Sequence, residues 1–113
     1  MIKIYHNPRC SKSRQGLELL NSLKMDVEII KYLDNPINHK ELKELISMLN
    51  ISPIQLVRKN EKIWKENFKS KELTDNEIID AMVNNPKLIE RPIVIHNNKA
   101  VIGRPTEAIN SIF

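Results

Sequence analysis

The sequence predicts an α/β fold, a mixed four-stranded sheet with an inserted helical region, and three observations predict it. A strand, an amphipathic helix and a second strand open the chain. A β-hairpin and a short helix close it. Between them, from about residue 38 to about 88, the periodic segments are all helical.

Ile2 and Ile4 alternate with Lys3 and Tyr5, the period of a half-buried strand, and His6-Asn7-Pro8 interrupts the alternation as a turn does. From Ser11 onward Leu17, Leu20 and Leu23 recur at spacing three, and Leu19 and Leu23 at spacing four, which is the stripe of a helix. Cys10 stands at its start. Val27 to Tyr32 is a β-branched apolar run of strand length, stopped by Asp34-Asn35-Pro36. Two strands joined by a crossover helix are parallel neighbours.

Asn38 with Glu41 three residues on reads as a helix N-cap, followed by Leu42, Leu45, Ile46 and Leu49 on one helical face. Ser52-Pro53 reads as an N-cap with proline at the first position of a short helix through Val57. Thr74-Asp75-Asn76-Glu77 is a capping box ahead of Ile78, Ile79, Met82 and Val83, and Asn84-Asn85-Pro86 ends that helix. Pro92–Ile95 and Lys99–Ile102 flank His96-Asn97-Asn98, a three-residue connection that predicts a hairpin. Gly103-Arg104-Pro105 leads into a last helix with Ala108, Ile109 and Ile112 inward. This order of elements is that of a thioredoxin-like, or glutaredoxin-like, core carrying a helical insertion at about 38–88.

At 113 residues and 41% hydrophobic content the chain suits a single domain, 1–113, that needs neither disulfides nor metal to bury a core. The net charge of +4 is scattered, with no run of like charges to mark a nucleic-acid arm, so no nucleic-acid partner is expected. The chain opens directly on a strand, without a signal-peptide core, and nothing in it approaches the ~18 apolar residues of a membrane span. A cytoplasmic protein with no membrane partner is the expectation. One cysteine excludes an intramolecular disulfide and suits a reducing compartment.

A cysteine between a strand and the first turn of a helix faces unpaired N–H groups and the positive end of the helix dipole, both of which favour thiolate over thiol. Ser11, Lys12, Ser13 and Arg14 add hydroxyls and cations, and a protonated His6 would add another. Cys10 is therefore expected to titrate well below a free thiol. The same helix start is an anion site, so nucleophile and oxyanion cradle coincide. Ser13 stands where a dithiol enzyme carries its second cysteine, so an outside thiol must complete any redox cycle. Arg58, Arg91 and Arg104 stand at element ends, and guanidinium forks suit oxyanions.

His6-Asn7-Pro8-Arg9-Cys10-Ser11-Lys12-Ser13-Arg14, Arg58-Lys59-Asn60, Glu90-Arg91-Pro92-Ile93-Val94 and Gly103-Arg104-Pro105 together resemble the signature segments of the glutaredoxin-dependent arsenate reductases. The resemblance runs in order over essentially the whole chain. It implies that Cys10 attacks arsenate, or a similar oxyanion, to form an arseno-cysteine intermediate resolved by glutathione and glutaredoxin, with no bound cofactor. It implies that Arg58, Arg91 and Arg104 bind the oxyanion before Cys10, and that His6, Ser13 and Arg14 belong to the loop that tunes the thiolate. It also implies a cis Arg91–Pro92 bond, with Pro92 the structural cis-proline of the fold.

The loop Pro-Arg-Cys-Ser-Lys-Ser has larger residues around the cysteine than the resistance enzymes, and the chain ends at Phe113 without their C-terminal extension. In both it resembles a chromosomal arsenate-reductase-like branch. Two other activities suit the fold: a glutathione-linked thiol transferase, and a regulator of the Spx type that binds RNA polymerase, whose usual Cys-x-x-Cys switch Ser13 breaks. His39 and His96 lack ligand partners at metal spacing and read as surface residues, Trp64 and Phe68 as one helix face, and the methionines as core filler.

Overall fold

The computed structural model describes residues 2–113, and its contacts divide the chain into two compact units. One runs up to Asn35 and resumes at Arg91–Phe113; the other is Pro36–Glu90. The second unit contains the stretch expected to be helical, about 38–88. None of the described helices is long and apolar enough to cross a membrane.

In the first unit, β1 (Ile2–Tyr5), β2 (Val27–Ile30), β3 (Ile93–His96) and β4 (Lys99–Ile102) form one sheet in the order β2-β1-β3-β4. The β1–β2 pair is parallel, as the crossover through α1 (Ser11–Ser22) requires, and the other two pairs are antiparallel. Ile2 and Ile4 share a face with Val94 and are sealed by Leu20 of α1 and by Ile109 and Ile112 of a closing 3₁₀ helix, Thr106–Ile112. Each such fully buried side chain contributes about 1.5–3 kcal/mol relative to exposure. Leu23, expected on the α1 stripe, is 39% exposed because the helix stops at Ser22 and the chain then turns through Lys24 at φ 57°. Met25, expected in the core, is likewise exposed.

The β3–β4 connection is one residue shorter than expected. His96 pairs with Lys99, leaving only Asn97 and Asn98 to turn, both at positive φ, which is the type I′ geometry that asparagine tolerates.

The second unit holds α2 (His39–Leu49), α3 (Lys62–Asn67) and α4 (Asp75–Asn84), with 3₁₀ turns at Pro53–Leu56 and Pro86–Leu88. Asn38 caps α2 by accepting the Glu41 N–H at 2.8 Å. Thr74 and Glu77 cap α4 reciprocally, at 3.2 and 2.9 Å. Helix α4 lies against α2 and both 3₁₀ turns, and Leu42, Leu45, Leu56, Met82 and Leu88 are fully buried. Trp64 of α3 and Phe68, just past its end, stack at 5.5 Å, so the pair forms although the helix stops short of Phe68.

Candidate active site

The turn that carries Cys10 is built from the residues just before it. Asn7 is the hub. Its side-chain Oδ1 accepts the Arg9 N–H and its carbonyl accepts the Cys10 N–H, both at 3.0 Å, while its own N–H donates to Ser13 Oγ at 3.0 Å. Asparagine before proline is in sequence only a turn signal; in the structure Asn7 is the frame of the loop. Arg14 Nη1 donates to the Pro8 carbonyl at 3.0 Å and ties the first turn of α1 back to that loop.

His6, Asn7 and Ser13 are buried. Ser13 Oγ lies 2.6 Å from His6 Nδ1. Burial first, then the Lys31 ammonium, hold His6 below the ordinary imidazole value of 6.5, while the hydrogen bond to Ser13 works in the opposite direction and Arg14 adds to the depression. This favours the neutral imidazole, against the cationic contribution considered for it. Lys31 is a neighbour that the sequence did not single out; the parallel register that sets Tyr5 beside Ile30 carries the next residues, His6 and Lys31, side by side.

Cys10 is the N-cap residue of α1 and is half-buried. Its sulfur makes no hydrogen bond in capping geometry. Burial alone would raise its pKa, but the Ser13 N–H, the Arg91 guanidinium and the Lys12 N–H outweigh that and leave the thiol below its ordinary value of 9.0. What Ser13 offers the sulfur is thus its backbone N–H, since its hydroxyl is engaged by Asn7 and His6. Arg104 Nη2 donates to Cys10 Sγ at 3.3 Å while its Nε donates to the Arg91 carbonyl at 2.8 Å. The Arg91–Pro92 bond is cis, and so is Arg104–Pro105, for which nothing in the sequence argued.

The structure therefore brings together Cys10, Arg91 and Arg104, with His6, Asn7 and Ser13 beneath them. Arg58 belongs to the second unit, where its Nη1 donates to Glu90 at 2.8 Å and its Nε stands 3.8 Å from Glu61. Its two carboxylate neighbours were not foreseen. His39 pairs with Asp80 at 2.7 Å on the surface, and His96 binds the Ile112 carbonyl with its ring tilted against Phe113.

A thioredoxin-like sheet with one cysteine at the open start of its first helix and two guanidinium groups on the sulfur defines a class of single-thiol proteins. The model of the ArsC family matches residues 5–112, and the chain belongs to that family. It is 46% identical over 113 residues to the uncharacterised protein YfgD of Escherichia coli (strain K12), covering 98% of this chain and 95% of that one. It is 40% identical to the arsenate reductase of Neisseria meningitidis serogroup A, covering 98% and 97%. Among solved structures, the arsenate reductase from Vibrio cholerae superposes with a TM-score of 0.94 at 41% identity, covering 99% of this chain and 97% of that one.

Proposed function

We propose that this protein is an oxidoreductase that reduces arsenate to arsenite, with the Cys10 thiolate as nucleophile, glutathione as the external thiol and glutaredoxin as its redox partner. The observation that carries the reading is the 3.3 Å contact of the Arg104 guanidinium with the only thiol of a family member whose relatives bear the name arsenate reductase. A guanidinium on the sulfur favours the thiolate and stands where the oxygens of an attacked oxyanion would lie. The thiolate bonds to arsenic and a hydroxyl group leaves as water, giving an arseno-cysteine. One glutathione then attacks this adduct and a second thiol equivalent, through glutaredoxin, completes the transfer. Two thiols become one disulfide, their two electrons take arsenic(V) to arsenic(III), and Cys10 returns as thiolate. The residues need no bound cofactor for this, and a compartment rich in reduced glutathione, the cytoplasm, is where it would run.

The test is NADPH consumption coupled through glutathione reductase, with glutathione, glutaredoxin and arsenate, against a Cys10→Ser control. Arsenate-dependent turnover lost in the control is the expected result. No rate above that control removes arsenate as substrate; activity on a glutathionylated substrate would then assign thiol transfer, and RNA polymerase binding independent of Cys10 a regulator.

A further inference from the structure

The chain has only two glycines, and both touch the same proline. A Cβ placed on Gly16, in α1, would meet Pro92 Cγ at 2.9 Å and Ile109 Cδ1 at 3.3 Å; one placed on Gly103, just past β4, would meet the same two atoms at 2.9 and 3.1 Å. Contacts of 2.9 Å fall about 0.5 Å short of the 3.4 Å at which ordinary van der Waals contact begins. The obstacle is a buried ring atom rather than the end of a flexible chain, so it cannot step aside cheaply. Neither glycine has a positive φ, so backbone conformation does not explain why the positions lack a side chain.

Pro92 also anchors the residues that act on the sulfur. Its carbonyl accepts the Gly103 N–H at 2.8 Å, and the carbonyl of Arg91 accepts Arg104 Nε at 2.8 Å. The Gly103–Arg104 segment is thus fixed to Arg91–Pro92 by two hydrogen bonds. Helix α1, which carries Cys10 at its start, abuts the same proline through Gly16. The two segments that carry the 3.3 Å Cys10–Arg104 contact, α1 through Gly16 and the end of β4 through Gly103, thus abut one ring.

We infer that Gly16 and Gly103 are positioning residues for the reaction: by letting α1 and the end of β4 both close onto Pro92, they set the distance between the Cys10 sulfur and the Arg104 guanidinium. A methyl group at either position forces one partner away from the ring, and a displacement of a few tenths of an ångström lengthens a bond already at 3.3 Å. The charged groups on the sulfur are the guanidinium groups of Arg91 and Arg104, from the β3 and β4 ends, joined by the backbone N–H groups of Lys12 and Ser13 on its own helix; Arg14 is engaged by the Pro8 carbonyl and His6 by Ser13 Oγ. Of these, Arg104 is the one whose place depends directly on Gly103. The inference rests on Cys10 being the reacting group and is independent of arsenate being the substrate.

The test is the pH dependence of Cys10 alkylation by iodoacetamide in Gly16→Ala, Gly103→Ala and Ile109→Val. Alanine suits the backbone at both glycines and gains helix propensity at Gly16, so folded proteins are expected. The alanine variants should move the alkylation midpoint toward that of a free thiol and slow alkylation at neutral pH several-fold. Ile109→Val trims the same core without crowding Pro92, so it should lower the melting temperature and leave the midpoint in place. In an Arg104→Ala background, Gly103→Ala should produce no further shift. Midpoints that follow melting temperature in all three variants, a full additional shift without Arg104, or failure of both alanine variants to fold would each overturn the assignment.

Discussion

Helices α2 and α4 in the inserted unit begin on side chains that close their first turns, whereas α1 begins on a cysteine that leaves its first turn open. Asn38 and Thr74 each accept a helix N–H, and Glu77 returns a bond to the Thr74 N–H. Cys10 makes no such cap bond, and the Lys12 and Ser13 N–H groups of that turn act on its thiolate instead. The placement of polar groups differs in the same sense. Among the described residues, the buried polar and charged side chains are His6, Asn7 and Ser13, all between β1 and the first turn of α1. In the Pro36–Glu90 unit, polar residues end helices at the surface; around Cys10 they are buried to hold a loop. A helix capped by an asparagine or threonine oxygen uses its first N–H groups for stability, while α1 turns those of Lys12 and Ser13, and the positive potential of its start, toward a thiolate.

The difference can be broken most sharply at Arg104. Arg104→Ala removes a charge-assisted hydrogen bond of about 1.5–3 kcal/mol, so arsenate binding should weaken roughly 10- to 100-fold and the Cys10 alkylation midpoint should rise, with the melting temperature little changed. Calorimetric titration with arsenate measures the first and iodoacetamide kinetics the second; an unchanged midpoint would detach Arg104 from the thiolate.

Ser13→Ala comes next. It strands the Asn7 N–H and His6 Nδ1 in a buried place, and a cost of about 1–3 kcal/mol in urea unfolding should accompany altered thiol reactivity. Thr74→Ala provides the contrast. Losing that cap should cost about 1 kcal/mol and leave the Cys10 midpoint untouched, because α4 uses its cap only to begin. Equal effects of the two on reactivity would erase the distinction between the units.

The smallest effect at neutral pH concerns His6. Its folded pKa lies below the unfolded value of 6.5, so between the two the unfolded state binds more protons and stability rises with pH. Above 6.5 the effect is spent; as pH falls below it, stability is lost until the folded pKa is passed. Urea midpoints measured from pH 7 to pH 4.5 should show this decline, and His6→Asn should flatten it.

Local chemistry written in adjacent residues was sufficient for much of this. The capping patterns at Asn38 and Thr74, the alternation of Ile2 and Ile4, and the position of Cys10 one residue before a helical stripe each depend on neighbours within a turn or a strand. The sequence by itself therefore determined the order of elements, the mixed sheet and the place of the lone cysteine at the start of α1. It misjudged what depends on where a helix stops, as at Leu23, and on strand pairing, as at His96 and Lys99.

Only the tertiary structure decided the state of the site. Whether His6 is charged depends on burial and on Lys31, brought beside it by a parallel register across a crossover. That Arg104 reaches the sulfur beside Arg91 depends on a contact spanning residues 10 and 104, and whether Arg58 is paired depends on Glu90, thirty-two positions away. These are sums over desolvation and distance among groups far apart along the chain. Residue types can announce the capacity for such contacts, but only packing fixes the few ångströms that decide them.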